Sequence, residues 1–176
     1  MFNTIYQRTD ASELQVESML QKLGFNIPVG VYNNGLLMVL DIQNSKEIMA
    51  DWDWLFKERC IALITTGIGN VFLLKESTGE IFHMDVQSGK PEFIDLEVDW
   101  FINEFLVKPQ IIESVIWRER IEKLISYNRP LKYHEAFILE PWIILGGQEK
   151  IENYKIGACD VYLSLVGQTN EQVNTR

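Results

Sequence analysis

At 176 residues, with 47% apolar and 23% charged side chains, the chain is sized and composed for one compact globular domain. Its net charge of −9 and pI of about 4.7 argue against direct contact with nucleic acid or an anionic membrane surface. No apolar run has the length of a membrane span, and the amino terminus lacks the basic and apolar segments of a secretory signal, so a cytoplasmic location is expected.

Asp10-Ala11-Ser12-Glu13 has capping-box spacing and predicts a first helix. Val16, Met19, Leu20 and Leu23 would form its apolar stripe, with Gly24 just past its end. Pro28, Gly30 and Asn33-Asn34-Gly35 predict a loop and turn leading to a buried strand over 36–40. Ser45 is placed to cap a second helix reaching about Phe56, with Ile48, Trp52, Leu55 and Phe56 on one face. Trp54 lies off that stripe, either packed on a neighbouring segment or offered to a partner.

Residues 60–96 read as the centre of the fold. Four short strands are separated by three glycine-bearing turns, Gly67-Ile68-Gly69-Asn70, Ser77-Thr78-Gly79-Glu80 and Ser88-Gly89-Lys90-Pro91. Val71-Phe72-Leu73-Leu74 is apolar on both faces, as a strand covered on both sides would be. The next strand alternates, with Phe82, Met84 and Val86 pointing one way and Ile81, His83, Asp85 and Gln87 the other.

Beyond the meander, Asp95 or Glu97 opens a third helix with Val98, Phe101, Ile102 and Phe105 inward, and Pro109 ends it. A fourth helix is predicted over 110–127, burying Ile112, Val115, Ile116, Trp117, Ile121, Leu124 and Ile125. An extended apolar run over 137–147, a closing helix over 160–166 and a frayed polar tail over 168–176 complete the reading. The expected fold is α+β: a twisted, mainly antiparallel sheet built on 60–96 and flanked by helices. One domain spans 1–167, with an amino-terminal portion over 1–107 and a carboxy-terminal portion over 108–167.

The residues for catalysis are sparse. Two histidines, His83 and His134, and two unpaired-spacing cysteines, Cys60 and Cys159, do not make a zinc-site pattern, so no metal and no cofactor is expected. Small buried thiols are the expected state of the cysteines. His83 and Asp85 share a strand face and have the chemistry to bind a metal or move a proton, but an exposed or half-buried polar strand face is the favoured reading. No GxSxG elbow or phosphate loop is present, and Gly67-Ile68-Gly69-Asn70 is followed by a strand pattern instead of the helix a dinucleotide fingerprint needs.

Charge is the uneven feature. The interval 76–104 holds eight acids, Glu76, Glu80, Asp85, Glu92, Asp95, Glu97, Asp99 and Glu104, against Lys90 alone. Solubility is one reading of such a run. The other is a surface that meets a basic partner, since a one-signed field steers association.

The order of motifs resembles a known family. Asn34-Gly35-Leu36-Leu37, the helix bearing Trp52, Thr66-Gly67-Ile68-Gly69-Asn70-Val71-Phe72-Leu73-Leu74 and the later Phe137-Ile138-Leu139-Glu140-Pro141-Trp142-Ile143-Ile144-Leu145-Gly146-Gly147 resemble the GAD-related domain of bacterial toxin-immunity proteins. Lys150-Ile151-Glu152-Asn153 follows as in that group, and the resemblance runs over about 14–167. The meander is also similar to the broader Smi1/Knr4-like immunity superfamily. The resemblance implies a non-catalytic cytoplasmic protein that neutralises a co-encoded toxin by binding it, as immunity proteins for DNase effectors of the type VI secretion system do. It also implies that Gly69, Gly146 and Gly147 fix turns. Thr65, Thr66 and Ile68 stand where the family usually carries an acid, which implies a different cognate toxin. The eight acids are the candidate contacts for a basic protein toxin. The alternatives are a regulatory or scaffolding module that binds an endogenous protein, and a small hydrolase centred on His83 and Asp85.

Overall fold

The computed structural model describes residues 1–10 and 16–174. Six strands form one antiparallel sheet in sequential order: β1 (Gly30–Tyr32), β2 (Leu37–Val39), β3 (Cys60–Thr66), β4 (Val71–Lys75), β5 (Ile81–Asp85) and β6 (Lys90–Asp95). A separate hairpin pairs β7 (Glu135–Leu139) with β8 (Tyr154–Ala158). The helices are α1 (Phe2–Ile5), α2 (Met19–Lys22), α3 (Ile42–Glu47), α4 (Asp53–Phe56), α5 (Val98–Trp100), α6 (Pro109–Ser114), α7 (Arg118–Tyr127) and α8 (Cys159–Asn174). The fold is α+β, as the sequence predicts.

The meander forms because its turns are chemically suited to reverse the chain. Gly69, Gly79 and Gly89 all take left-handed φ, at +84°, +74° and +62°, where a side chain would be strained. The sheet is covered on both faces. Phe72, Ile81, Phe101, Ile102, Ile121 and Leu124 join one core; Leu73, Met84, Trp52, Tyr162, Leu163 and Val166 join the other. A bulge in β3 between Ala62 and Ile64 lets Leu63 and Ile64 face the same core, against strict alternation.

Several local expectations are corrected. No single helix runs from Asp10 to Leu23: Val16 and Glu17 are outside any helix, and α2 starts after Ser18. The helix carrying Met19 and Leu20 has its own capping box, Ser18-Met19-Leu20-Gln21, in which the Gln21 amide donates to Ser18 Oγ at 2.9 Å and the Ser18 amide donates to Gln21 Oε1 at 3.0 Å. The expected box residues Ala11, Ser12 and Glu13 lie outside the described residues. The loop expected around Gly30 contains β1, too short at three residues to show alternation.

Ser45 is buried within α3, and the cap is Asp41, whose carboxylate accepts from the amides of Gln43 and Asn44. The segment to Phe56 is not one helix but α3, a 3-10 turn at Ala50–Trp52 and α4. Trp54 packs on Trp52, with ring centroids 6.4 Å apart. Pro109 opens a helix instead of ending one, in the first-turn position where its missing N–H costs nothing. The fourth helix is broken at Trp117 into α6 and α7. The extended run ends at Leu139, before a cis Glu140–Pro141 bond and a 3-10 turn at Ile143–Leu145.

The tail is the largest correction. Residues 168–174 continue α8, whose buried residues Cys159, Tyr162, Leu163, Val166, Gly167 and Asn170 repeat at i, i+3, i+4 and i+7. Polar composition suggested fraying, but Asn170 is buried and its side chain donates back to the Val166 carbonyl at 3.0 Å.

Candidate partner-binding face

The acidic interval runs through the β4–β5 turn, β5, β6 and the helical turns after them, and β6 is an edge strand of the sheet. β1, at the opposite edge, is bridged at Tyr32 by Arg8, whereas no strand pairs with the outer edge of β6 among the described residues. Along β6, Phe93 packs edge-on against Phe82 with centroids 5.7 Å apart, yet 56% of Phe93 is exposed. Leu96, just past the strand, is 59% exposed. Glu92, Glu97 and Asp99 are exposed around these two apolar side chains.

The eight acids do not converge on one point. Glu76 and Glu80 lie at the β4–β5 turn, where Lys75 reaches Glu80 at 3.3 Å and Glu58 at 3.4 Å. Asp95 pairs in register with Ile81 at the same end, and its carboxylate accepts from the amides of Leu96 and Glu97. Asp85 sits at the other end of β5 and accepts from the Ser88 amide at 3.1 Å, shaping the β5–β6 turn. Asp99 holds the Asn103 side chain at 3.0 Å, and Glu104 is exposed on the following helical turn. Glu92 and Asp95, continued by Glu97, make a short acidic strip on and just past β6 next to Phe93 and Leu96 in the chain, while Glu76, Glu80, Asp85, Asp99 and Glu104 lie on flanking turns, the end of β5 and the helical turns that follow, Glu80 paired with Lys75.

Beside this strip, His83, Asp85, Glu92, Asn70, Lys90 and Trp117 line a cleft of about 200 Å³. His83 packs tilted against Phe72, ring centroids 5.1 Å apart, and is only 9% exposed, more covered than a polar strand face would be. Burial holds its pKa below the usual histidine value, outweighing the opposite pull of Asp85 and Glu92, so the imidazole is neutral at pH 7. Its Nε2 is buried with no hydrogen-bond partner among the described residues. Trp117 forms a wall of the cleft in a left-handed conformation, φ 61° and ψ 47°, the cost of which other contacts must offset. They include an indole N–H bond to the Ser114 carbonyl at 2.7 Å and the Arg120 guanidinium 4.3 Å above the ring. Arg120 is itself held by Glu149 at 2.8 Å.

Sequence reasoning located the acids but missed Phe93, Leu96 and Trp117. The alternation of Lys90-Pro91-Glu92-Phe93, with a proline that suits an edge strand, carried the clue for Phe93. Nothing local marked Trp117 as a break. Cys60 and Cys159 are free and buried, as expected, and burial pushes both thiols up to about 12. Among the described residues, no group of three or more His, Cys, Asp or Glu is placed to hold a metal ion. No helix among them is long and apolar enough to cross a membrane.

No family model matches the chain, and no curated protein matches it. Among solved structures, the crystal structure of Atu4351 from Agrobacterium tumefaciens superposes with a TM-score of 0.68 at 13% identity, over 94% of this chain and 86% of that one. The likeness is one of fold. It shows that nearly the whole chain follows a known architecture and says nothing of activity.

Proposed function

We propose that this chain is a non-catalytic cytoplasmic immunity protein that binds and neutralises a cognate, basic toxin domain through its β6 edge. The observation that carries the reading is the open edge itself: Phe93 and Leu96 stand exposed beside Glu92, Asp95 and Glu97 with no further strand paired there among the described residues. Apolar anchors inside a charged rim are the anatomy of a protein interface. The acids disfavour pairing with a second copy of the same edge, because like charges would face one another, and they favour a cationic surface. A nuclease supplies such a surface, since the cleft that grips phosphates is lined with lysine and arginine. The family resemblance of the Gly-Asn turn and the Leu-Gly-Gly segment points the same way.

The test is co-expression with the polypeptide encoded by the adjacent gene. The reading expects that polypeptide to arrest growth alone and the wild-type chain to restore it. A variant combining Glu92→Lys, Phe93→Asp and Asp95→Lys should fold but fail to rescue. Full rescue by that variant, or absence of any toxicity to rescue, overturns the proposal.

A further inference from the structure

The carboxy-terminal helix carries a second surface that the β6 strip does not include. Its buried stripe faces the sheet, while Val161 and Leu165, one turn apart on another face, are 53% and 47% exposed. Single exposed apolar residues are ordinary on a protein surface. These two are different because they flank a groove of about 330 Å³ between α3 and α8, with the buried Ile48 also lining it. The charged side chains lining it are of one sign. Glu47, Asp51 and Asp160 line the groove, and the described residues lining it include no lysine or arginine.

The groove is also held in shape. Ser164 Oγ and Gln168 Nε2 both donate to the Asp51 carboxylate, tying α8 to the turn after α3. Gly167 lies so close to that turn that a Cβ there would stand 2.8 Å from the Asp51 carbonyl oxygen. Asp51 stays within reach of solvent, so its negative charge still adds to the rim.

We infer that this groove receives an amphipathic helix from a basic protein partner. Leucine-like side chains of the incoming helix would pack on Ile48, Val161 and Leu165, and its lysines or arginines would meet Glu47, Asp51 and Asp160. A helix is the fitting occupant because the groove lies between two helices and its apolar residues on α8 repeat at i, i+4, the spacing that interdigitates with another helix. A basic helix is the fitting kind because a rim of three carboxylates with no counter-charge repels an acidic segment, including a second copy of this α8, whose charged residues are Asp160 and Glu171. This site is separate from the β6 edge and stands whether or not the toxin reading does.

The probe is a synthetic peptide of about 18 residues, five helical turns, carrying leucine at i, i+3, i+4 and i+7 and lysine elsewhere. A scrambled peptide of the same composition is the control, and amide chemical shifts of the full labelled chain are the readout. The expected result is saturable shifts centred on Asn44, Glu47, Ile48, Val161, Ser164 and Leu165, at least about tenfold weaker for the scrambled peptide. Leu165→Glu should weaken binding by a similar factor while leaving shifts remote from the groove unchanged. Should that variant misfold, Glu47→Lys with Asp160→Lys tests the rim alone and should also weaken binding. Equal affinity for the scrambled peptide, shifts centred on β6, or no saturation overturns the assignment. Concentration-dependent shifts at these positions without peptide would place a second copy in the groove and overturn it as well.

Discussion

Gly167 brings α8 close against the turn that holds Asp51 and Trp52. A Cβ there would lie 2.8 Å from the Asp51 carbonyl oxygen and 2.9 Å from Trp52 Nε1, whose indole N–H donates to the Leu163 carbonyl at 3.0 Å. In an open helix Gly→Ala would stabilise by about 0.5–1 kcal/mol. Overpacking against backbone and a fully buried tryptophan costs about 1–3 kcal/mol, so the clash wins. Gly167→Ala is expected to lower the urea midpoint at unchanged slope. His83 supports a second measurement. Its folded pKa lies below the unfolded value of about 6.5, so just below that pH the unfolded chain binds a proton the folded chain refuses, and stability falls as pH drops. His83→Phe should remove that decline between pH 6.5 and 5, a range above the titration of the carboxylates whose pKa is depressed, Asp41, Glu58, Glu119 and Glu135. At this scale the sequence showed His83 and its alternation with Met84, but its burial involves Phe72 and a cleft walled by Val115 and Trp117 at the α6–α7 break, which no local pattern announces.

Elements divide by where their information resides. The turns of the meander are local chemistry, glycine at positive φ, and β3 to β6 fall where the sequence places them. Helix boundaries are less local. Trp117 takes its left-handed turn among contacts from Arg120 and Ser114, so a continuous apolar periodicity over 110–127 concealed a break. Asp41 is a cap with a long-range role, accepting from two α3 amides and from the Tyr133 hydroxyl at 3.0 Å, across 92 residues of sequence. Burial would raise its pKa, but these bonds and those from Asn44 outweigh that and hold the carboxyl below its usual range. Asp41→Ala should therefore destabilise by about 2 kcal/mol, the upper end of the range for a lost cap, with Asp41→Asn milder. Denaturation of the two variants side by side checks the order. Acid should erode the same contribution as pH falls through the folded pKa of Asp41.

For the whole molecule, the class of fold and its central sheet were legible because apolar strands and punctuating turns are properties of short segments. The open edge was not, because which strand ends a sheet depends on what else pairs with it. The acids were visible as an interval, and only the fold shows that Glu92 and Asp95 lie on β6 near Phe93 and Leu96 while the others fall on flanking turns, the end of β5 and helical turns instead of gathering on one patch. On the proposed reading, the β6 edge, across the sheet from the β1 edge that Arg8 bridges, is where a partner of opposite charge would dock.

The direct measurement is a calorimetric titration of the purified chain with the polypeptide encoded by the adjacent gene, at low and at high salt. The account predicts saturable binding that weakens as salt rises, and a Glu92→Lys, Asp95→Lys, Glu97→Lys variant that stays folded, binds far more weakly and loses most of the salt dependence. A folded variant that binds like the wild-type chain, with the same response to salt, would contradict it.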